Sequence, residues 1–453
     1  MRAADGLLLG VLDDDPTGSQ AVHGVQVVTV PDARAYEAAL AGPAATCFVL
    51  TNTRSLDEPA AVETNRRAAR DLILIAERDG RPVQLISRSD STLRGHVMAE
   101  VAALQATRRE MLGRGFDGVL LVPAFLEAGR LTAGDIHWAR TGAGLAPVGE
   151  TEFARDATFG YTASDLRDFV AEKSGGVIAP GDVRSISLED IRLGGPARVA
   201  ELLAGIRDGT WVVVNATEYS DLDTVAYGVV AAERAGQSFL FRTGPSFVRA
   251  VCGMGPRAPL RGPGIWPSGR PGGHGLIVVG SHVGQTSRQV AALRAHKATT
   301  DIELDVPSVI GGGGEVAAAT ARQVSDALTR SDVLLYTSRA LARGADPAGS
   351  LAIARQVSAA LSATVRGALA ARPAWIVAKG GITSHDVAVH GLGLRRAEVA
   401  GQLFPGVISV FRPLEAAPEA IGVPYVVFAG NVGDEETLGQ VVSILNDGRQ
   451  ENP

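Results

Sequence analysis

The chain has 453 residues, of which 46% are hydrophobic and 20% charged, and its formal net charge is −6. This length and apolar content are enough for two or three domains with cores of their own. The weakly acidic net charge gives no sign of the basic surface that nucleic-acid-binding proteins carry. No apolar run reaches the roughly 18 residues of a membrane span.

The first predicted strand, Gly6–Leu12, is followed by the three consecutive aspartates Asp13–Asp15. Open α/β sheets bind ligands at the carboxyl ends of their strands, where these carboxylates would lie. Adjacent carboxylates repel one another, and a metal ion, a cationic partner or a substrate hydroxyl would relieve that repulsion. Thr17 and Gly18 add a hydroxyl and a tight turn. The alternative is a plain turn whose aspartates only cap the next helix.

Two further polar turns follow predicted strands. Arg54 comes after the strand Thr46–Thr51, and its planar guanidinium suits a carboxylate or phosphate, although a surface ion pair is equally compatible. The strand Pro82–Ser87 runs into Arg88–His96, which holds two arginines, one aspartate and three hydroxyls. Packing alone cannot bury so many polar groups. The stretch therefore predicts a surface that binds anions and hydroxyls, the alternative being a solvated loop.

Strands and helices alternate through the rest of the first half, which predicts a mostly parallel sheet with helical crossovers. Residues 176–179 are predicted as one of its short strands. Residues 128–138 are predicted as a polar loop in which His137 is a hydrogen-bonded structural residue, with a catalytic role as the alternative. Five prolines among many glycines in Gly253–Gly275 predict a linker, giving domains 1–252 and 276–453.

The second half holds three turns that suit phosphate. Ser281 follows the strand Gly275–Gly280, Lys379–Ser384 combines a lysine, two glycines and two hydroxyls, and Ala429–Asp434 allows close backbone approach. The four-glycine run Gly311–Gly314 is predicted as a flexible lead-in to a helix starting at Glu315, with a phosphate cradle as the alternative. Neither a Rossmann glycine fingerprint nor a Walker motif is present.

These turns resemble motifs of the four-carbon acid sugar kinase family, ATP-dependent kinases of threonate, erythronate and 3-oxo-tetronate. Asp14–Gly18 is similar to the family's Asp-Asp-x-Thr-Gly, and Arg88–His96 to its Lys-x-Asp-Ser-Thr-Leu-Arg-Gly-Asn. Gly129-Arg130 resembles its Gly-Arg-x-Thr loop. The nucleotide-binding turns are matched at Gly280-Ser281, Gly380–Ser384 and Gly430–Gly433. The similarity spans nearly the whole chain.

The resemblance implies two Rossmann-like α/β domains with mostly parallel sheets and an interdomain active-site cleft, the N-terminal domain binding the sugar acid and the C-terminal domain ATP with Mg²⁺. The residues implied in catalysis are Asp14, Asp15 and Asp90. Those implied in substrate binding are Thr17, Arg54, Arg88, Ser91, Thr92 and Arg94. Those implied in nucleotide binding are Ser281, Lys379, Gly380, Gly381, Thr383, Gly430, Asn431 and Gly433. Which aspartate is the base and which residues bind magnesium stay open.

Departures from the family pattern leave the substrate open. Arg88 and His96 replace the usual lysine and asparagine, and Phe428 replaces the lysine of the last turn, commonly Lys-Ser-Gly-Asn-Phe-Gly. A non-catalytic sensor of sugar acid and nucleotide is one alternative, and a nicotinamide-dependent sugar-acid oxidoreductase is another. The oxidoreductase would need a glycine fingerprint where this chain has aspartates.

The expected partners are a small sugar acid and ATP, with no nucleic acid and no membrane, and a homodimer is left open. Cys47 and Cys252 lack paired or zinc-binding spacing. They predict free thiols in a cytoplasmic protein.

Overall fold

The computed structural model describes residues 6–15, 18–142, 144–339, 347–430 and 432–447. The chain forms two compact units, residues 1–256 and 257–453. Each unit has a mostly parallel sheet and helical crossovers, so the predicted α/β class is confirmed. None of the helices in the described ranges combines the length and apolar character needed to cross a bilayer.

The N-terminal unit is built on a parallel sheet with the strand order β2-β3-β1-β4-β11-β5-β10-β9. The strands of this unit are β1 Leu8–Asp13, β2 Gln26–Val28, β3 Thr46–Leu50, β4 Val83–Arg88, β5 Gly118–Val122, β6 Arg130–Ala133, β7 Ile136–Thr141, β8 Gly144–Pro147, β9 Arg184–Ile186, β10 Thr210–Val214 and β11 Phe239–Thr243. Its helices are α1 Ala33–Leu40, α2 Glu58–Arg78, α3 Val97–Leu112, α4 Leu166–Lys173, α5 Leu188–Arg192, α6 Gly195–Ala204, α7 Tyr219–Arg234 and α8 Pro245–Val251.

The sheet forms because its strands are short apolar runs that are buried on both faces. Every residue of β1, β3 and β5 is buried, as expected for parallel strands covered by helices on both sides. Capping residues help to set where the crossover helices begin. The Asp57 side chain, for example, accepts a hydrogen bond from Ala60 N and so caps α2. The carboxyl ends of the central strands therefore meet along one edge of the sheet.

Two details of the predicted N-terminal half are wrong. The predicted polar loop 128–138 forms most of β6 and β7, which pair antiparallel with each other, and β8 extends this ribbon. The turn between β6 and β7 is tight because Gly134 and Asp135 both have positive φ angles, of 62° and 63°. The predicted strand 176–179 is a bend after α4 in which Val177 is 86% exposed, and the strand lies at β9.

The C-terminal unit has the strand order β13-β14-β12-β15-β18-β17-β16, parallel up to β18 and antiparallel beyond it. Its strands are β12 Leu276–Val279, β13 Thr299–Leu304, β14 Asp332–Thr337, β15 Ile376–Lys379, β16 Arg396–Gln402, β17 Ser409–Glu415 and β18 Tyr425–Phe428. Its helices are α9 Gly284–His296, α10 Val306–Ala327, α11 Pro347–Ala368, α12 Gly381–Asp386 and α13 Thr437–Asn446, with a π-helical segment at Val387–Gly391.

The four-glycine run Gly311–Gly314 lies inside α10, so the predicted flexible lead-in is wrong. Each glycine costs roughly 1 kcal/mol of helix stability relative to alanine. Packing outweighs this cost because Val309 before the run and Val324 after it are fully buried. Asp305 caps the helix by accepting from Ser308 N at 2.9 Å.

Part of the predicted linker 253–275 belongs to the core of the C-terminal unit. Leu260, Ile265 and Trp266 are buried there, and Leu260 N donates to Gln402 O at 2.7 Å. The residues from 267 to 273 are mostly exposed. The division into domains 1–252 and 276–453 with a separable linker stays a prediction.

Candidate functional site

The carboxyl ends of neighbouring strands in the N-terminal sheet bring the predicted catalytic and substrate-binding residues together. Asp13, at the end of β1, lies opposite Leu50 of β3 and Arg88 of β4. The turns that follow these strands therefore share one edge of the sheet. Their charged side chains form what we call the aspartate–arginine cluster: Asp13, Asp14, Asp15, Arg54, Arg88, Asp90 and Arg94.

Asp14 is a buried carboxylate that accepts no side-chain hydrogen bond from the part of the chain that the structure describes. Its side chain is 2% exposed, and neither of its oxygens has a hydrogen-bond partner among the described residues. Arg54 Nε lies 3.5 Å from Oδ1, and Arg88 Nη1 lies 3.8 Å from it. Burial raises the pKa of Asp14 to about 7, and the charge of Arg54 opposes part of that rise. The carboxylate of Asp14 can therefore accept a proton near neutral pH.

Asp90, in contrast, is surrounded by donors. Arg94 Nε donates to Oδ2 at 2.7 Å, the Thr92 hydroxyl donates to the same oxygen, and Arg54 Nη1 lies 3.6 Å away. Burial alone would raise the pKa of Asp90, but Arg54 and Arg94 outweigh it and hold the pKa below its usual range. Asp15 forms an ion pair with Arg54. Of Asp14 and Asp90, Asp14 is therefore the better proton acceptor near neutral pH.

Arg88 forms an ion pair with a buried carboxylate. The Arg88 side chain is 5% exposed, and its Nη1 donates to Oδ1 of the fully buried Asp13 at 2.9 Å. Burial raises the pKa of Asp13 to about 6, while Arg88 lowers it. Gly18 packs against this pair, since a Cβ at Gly18 would lie 1.9 Å from Asp13 Oδ2. Arg88 thus fixes the position of the Asp13 side chain at the end of β1 through its Nη1.

A second buried ion pair, which sequence reasoning missed, lies next to the cluster. Arg242 of β11 pairs with Glu100 of α3 and donates to Ser87 Oγ at 2.7 Å, and Thr53 Oγ1 donates to Glu100 at 2.5 Å. A cationic residue inside the apolar strand Phe239–Thr243 was the available signal. The backbone passes close by at Gly95, where φ is +118° and a Cβ would lie 3.1 Å from Asp14 Oδ2.

The β6–β7 ribbon fixes the backbone of the Ser91-Thr92 turn. His137 is fully buried, with Nε2 2.8 Å from Ser91 O and Nδ1 2.9 Å from Thr132 Oγ1. Burial lowers the pKa of His137 to about 4, so the ring is neutral at physiological pH. The Tyr161 hydroxyl donates to Thr92 O at 2.7 Å. The structural role predicted for His137 agrees with these contacts.

Tyr161→Phe is expected to lower the free energy of unfolding by about 1 kcal/mol, because it deletes one buried neutral hydrogen bond. Urea unfolding followed by circular dichroism measures this change. The matched variant Tyr227→Phe removes a hydroxyl from a side chain that is 55% exposed and should leave the free energy unchanged. Equal effects of the two substitutions would contradict a specific role for the Thr92 contact.

The C-terminal unit contains a cavity of about 690 Å³ where β12, β15 and β18 end. One wall is apolar, formed by Ile353, Val357 and Leu361 of α11. The cavity is also lined by three small-residue turns, which include five of the predicted nucleotide-binding residues: Ser281, Gly380, Gly381, Thr383 and Gly430. A cavity that combines apolar side chains with small polar turns suits a nucleotide, the apolar side chains for its base and the turns for its phosphates.

Contacts between these turns set the shape of the cavity. The Thr286 hydroxyl donates to Gly430 O at 3.0 Å and thereby joins the β12 turn to the β18 turn. Gly380 has φ +122°, and a Cβ there would lie 3.0 Å from both Ser281 Cβ and Thr383 Oγ1. Gly381, by contrast, faces open space. Gly380 therefore fixes the turn, whereas Gly381 leaves room inside the cavity.

Lys379 and Gly433 do not line the cavity. Lys379 is fully buried, donates to Ala429 O at 2.7 Å, and places its ammonium 3.6 Å from the centroid of the Phe428 ring. Burial lowers the pKa of Lys379 to about 7. A Cβ at Gly433 would lie against Thr437 of α13, 2.6 Å from Oγ1. The predicted site residues Thr17 and Asn431 lie outside the described residues.

Comparisons with known proteins match each half of the chain to a ligand-binding domain. A family model described as a sugar-binding N-terminal domain matches residues 9–251. A second, described as a nucleotide-binding C-terminal domain, matches residues 276–438. A search of curated proteins found no match.

Similar solved structures cover nearly the whole chain. Protein HI1011 of Haemophilus influenzae gives a TM-score of 0.64 at 18% identity, covering 96% of this chain and 100% of that chain. A Salmonella typhimurium LT2 protein with the provisional name of a tRNA synthase gives 0.69 at 18% identity, covering 96% and 98%. At this identity the likeness shows the fold alone. A Bordetella bronchiseptica protein, a domain-swapped dimer with bound citrate, gives 0.40 at 22% identity over 98% and 100% of the two chains, too low a score to transfer any feature.

Proposed function

The chain belongs to the family whose members join a sugar-binding N-terminal domain to a nucleotide-binding C-terminal domain, and we propose that it is an ATP-dependent kinase of a four-carbon sugar acid. The acid, of the threonate, erythronate or 3-oxo-tetronate type, accepts the phosphoryl group on its terminal hydroxyl. The observation that carries this proposal is Asp14, a buried carboxylate with a pKa near 7 and no hydrogen-bond partner among the described residues. A general base works best when its pKa is close to the working pH.

The proposed reaction needs positioning and charge compensation more than covalent work by the protein. Asp14 accepts the hydrogen bond of the substrate hydroxyl, whose oxygen forms a bond to the γ-phosphorus of ATP. The bond between that phosphorus and the β,γ-bridging oxygen breaks, ADP departs, and the hydroxyl proton passes to Asp14. Arg54, beside Asp14, Asp15 and Asp90, moderates the negative charge that the incoming phosphate meets.

Magnesium is proposed to arrive with the nucleotide. No group of three or more His, Cys, Asp or Glu side chains within the described part of the chain is arranged to hold a metal ion. Mg²⁺ commonly takes most of its ligands from substrate phosphates and water, with only one or two carboxylates from the protein. When bound, it would neutralise charge on the β- and γ-phosphates. No side chain of this protein is assigned to it.

An assay of ADP release with a panel of four-carbon acids tests the proposal. The wild-type protein should release ADP only when ATP and one of these acids are both present. Binding of acid and nucleotide without ADP release would indicate the non-catalytic sensor instead. Reduction of NAD⁺ or NADP⁺ by a sugar acid would indicate the oxidoreductase.

Gly381→Val is expected to raise KM for ATP without changing KM for the acid. Gly381 lines the cavity and its Cβ direction is open, so the valine enters space that the nucleotide would fill. An inserted group of this size costs about 1–3 kcal/mol, or roughly 5-fold to 150-fold in KM for ATP. Gly272→Val is the matched control, since Gly272 also faces open space but does not line the cavity. A folded Gly381→Val with wild-type KM for ATP contradicts nucleotide binding in this cavity.

A further inference from the structure

One arginine beside the aspartate–arginine cluster forms no ion pair with a carboxylate among the described residues. Arg54, Arg88 and Arg94 each form an ion pair with an aspartate. Arg130, the first residue of β6, forms no side-chain hydrogen bond or ion pair with any described residue, and its Nε is buried. The residue as a whole is half-buried, so its charge is partly shielded from water. The charge of Asp90 acts on Arg130 from beyond ion-pair distance, so among the described residues the guanidinium has no carboxylate in direct contact and could bind one.

An aromatic ring places Arg130 next to the cluster. The guanidinium carbons of Arg94 and Arg130 lie 5.4 and 5.6 Å from the centroid of the Phe153 ring. A cation stacked on an aromatic ring keeps its planar donors free for a second partner. The ribbon that carries Arg130 is anchored to the cluster through His137, whose Nε2 lies 2.8 Å from Ser91 O. Arg130 is thus held in a defined position without using its own donors.

The charged side chains of the site form a series whose two ends match the two ends of a sugar acid. Arg54 bridges Asp14 at 3.5 Å and Asp90 at 3.6 Å, and Arg94 binds Asp90 at 2.7 Å. Arg94 shares the Phe153 ring with Arg130. Among the described residues, the series therefore begins at Asp14, a carboxylate that accepts no hydrogen bond, and ends at Arg130, a guanidinium that forms no ion pair. A four-carbon sugar acid has a hydroxyl at one end and a carboxylate at the other.

We propose that Arg130 binds the carboxylate of the sugar acid, which directs the hydroxyl at the opposite end of the substrate to Asp14. This assignment rests on the proposed function and goes beyond it, because it fixes the direction in which the substrate lies. The interaction is the planar, bidentate one that guanidinium and carboxylate groups make. It also explains how a site with four aspartates can accept an anion.

Titration calorimetry without ATP tests the proposal. Wild type and Arg130→Met are titrated with threonate and erythronate, and with the neutral polyols threitol and erythritol. Methionine keeps an unbranched apolar stem against Phe153 but removes the charge. Loss of a desolvated charged contact should weaken acid binding roughly 30-fold or more. The affinity for the polyols should stay unchanged, so the preference for acid over polyol falls.

The matched control is Arg108→Met. Arg108 also stacks on a phenylalanine, 4.6 Å from the centroid of Phe116, and also has a buried Nε without a described partner. It lies in α3, outside the cluster, and its replacement should leave acid affinity unchanged.

Three results would overturn the role of Arg130. One is that wild type binds neither acid. The others are that Arg130→Met weakens the binding of acids and polyols equally, or that it leaves acid binding intact. Failure of the kinase function is distinguishable, because it would appear as acid binding that depends on Arg130 without any ADP release.

Discussion

Asp14→Asn is expected to lower kcat about 10²–10⁴-fold while the protein stays folded, because the variant loses the proton acceptor and keeps the shape of the side chain. Both Asp14 oxygens lack hydrogen bonds among the described residues, so an amide at this position breaks no hydrogen bond found there. Initial rates of ADP release give kcat, and urea unfolding shows that the fold persists.

Asp71→Asn is the matched control for this substitution. Burial also raises the pKa of Asp71, which lies on α2 outside the cluster. The control should retain wild-type kcat. A folded Asp14→Asn with kcat close to wild type removes Asp14 from the mechanism.

The pH dependence supplies an independent check on Asp14. The base must be ionised, so kcat/KM for the acid should rise with pH and level off above about 7. Stability should move the other way. The native pKa is raised from 3.8 to about 7, so the contribution of Asp14 is fully present below pH 3.8 and is lost as pH rises through about 7. Asp14→Asn should therefore lose less stability over this interval than wild type.

Arg54→Ala is expected to lower the free energy of unfolding by about 3–5 kcal/mol at pH 7, the usual cost of removing one partner from a buried ion pair. Arg54 pairs with Asp14, Asp15 and Asp90, and its own side chain is only 19% exposed. Without it, the charges of three carboxylates lose a shared partner. Urea unfolding at pH 7 measures the loss.

Arg70→Ala provides the comparison for Arg54. Arg70 and Glu110 form an ion pair at 2.5 Å, but their side chains are 49% and 48% exposed. Exposed pairs contribute about 0–1 kcal/mol. If Arg54→Ala costs no more than Arg70→Ala, the cluster does not depend on Arg54 for its stability.

The positions of the site residues were predictable because the sheet is parallel. Strands of this kind are continuous apolar runs, so the polar residues after β1, β3 and β4 mark the carboxyl edge even when no pairing is known. The same reasoning located Ser281, Gly380 and Gly430 after β12, β15 and β18. These predictions needed only short stretches of sequence.

The supporting contacts were not predictable in the same way. Glu100 and Arg242 are 142 positions apart in the chain, and nothing local marks them as partners. Arg130 was assigned to a polar loop, whereas it begins a strand of an antiparallel ribbon whose pairing depends on a two-residue turn. The difference in pKa between Asp14 and Asp90 arises from burial and from which arginine approaches each carboxylate. Those properties exist only once the chain has folded.

The prediction for one glycine-rich segment was wrong for a related reason. Gly311–Gly314 has the local propensity of a flexible segment, but buried valines on either side keep it within α10. Local propensity is a weak preference that tertiary packing overrides.

Phosphorus-31 NMR of a reaction containing the protein, ATP, Mg²⁺ and the preferred four-carbon acid tests the central claim most directly. A sugar-acid kinase should form a phosphomonoester signal of the acid in step with ADP, and Asp14→Asn should slow both signals by the same factor. ADP accompanied by inorganic phosphate alone, or no change with any of the acids, would contradict the proposed function.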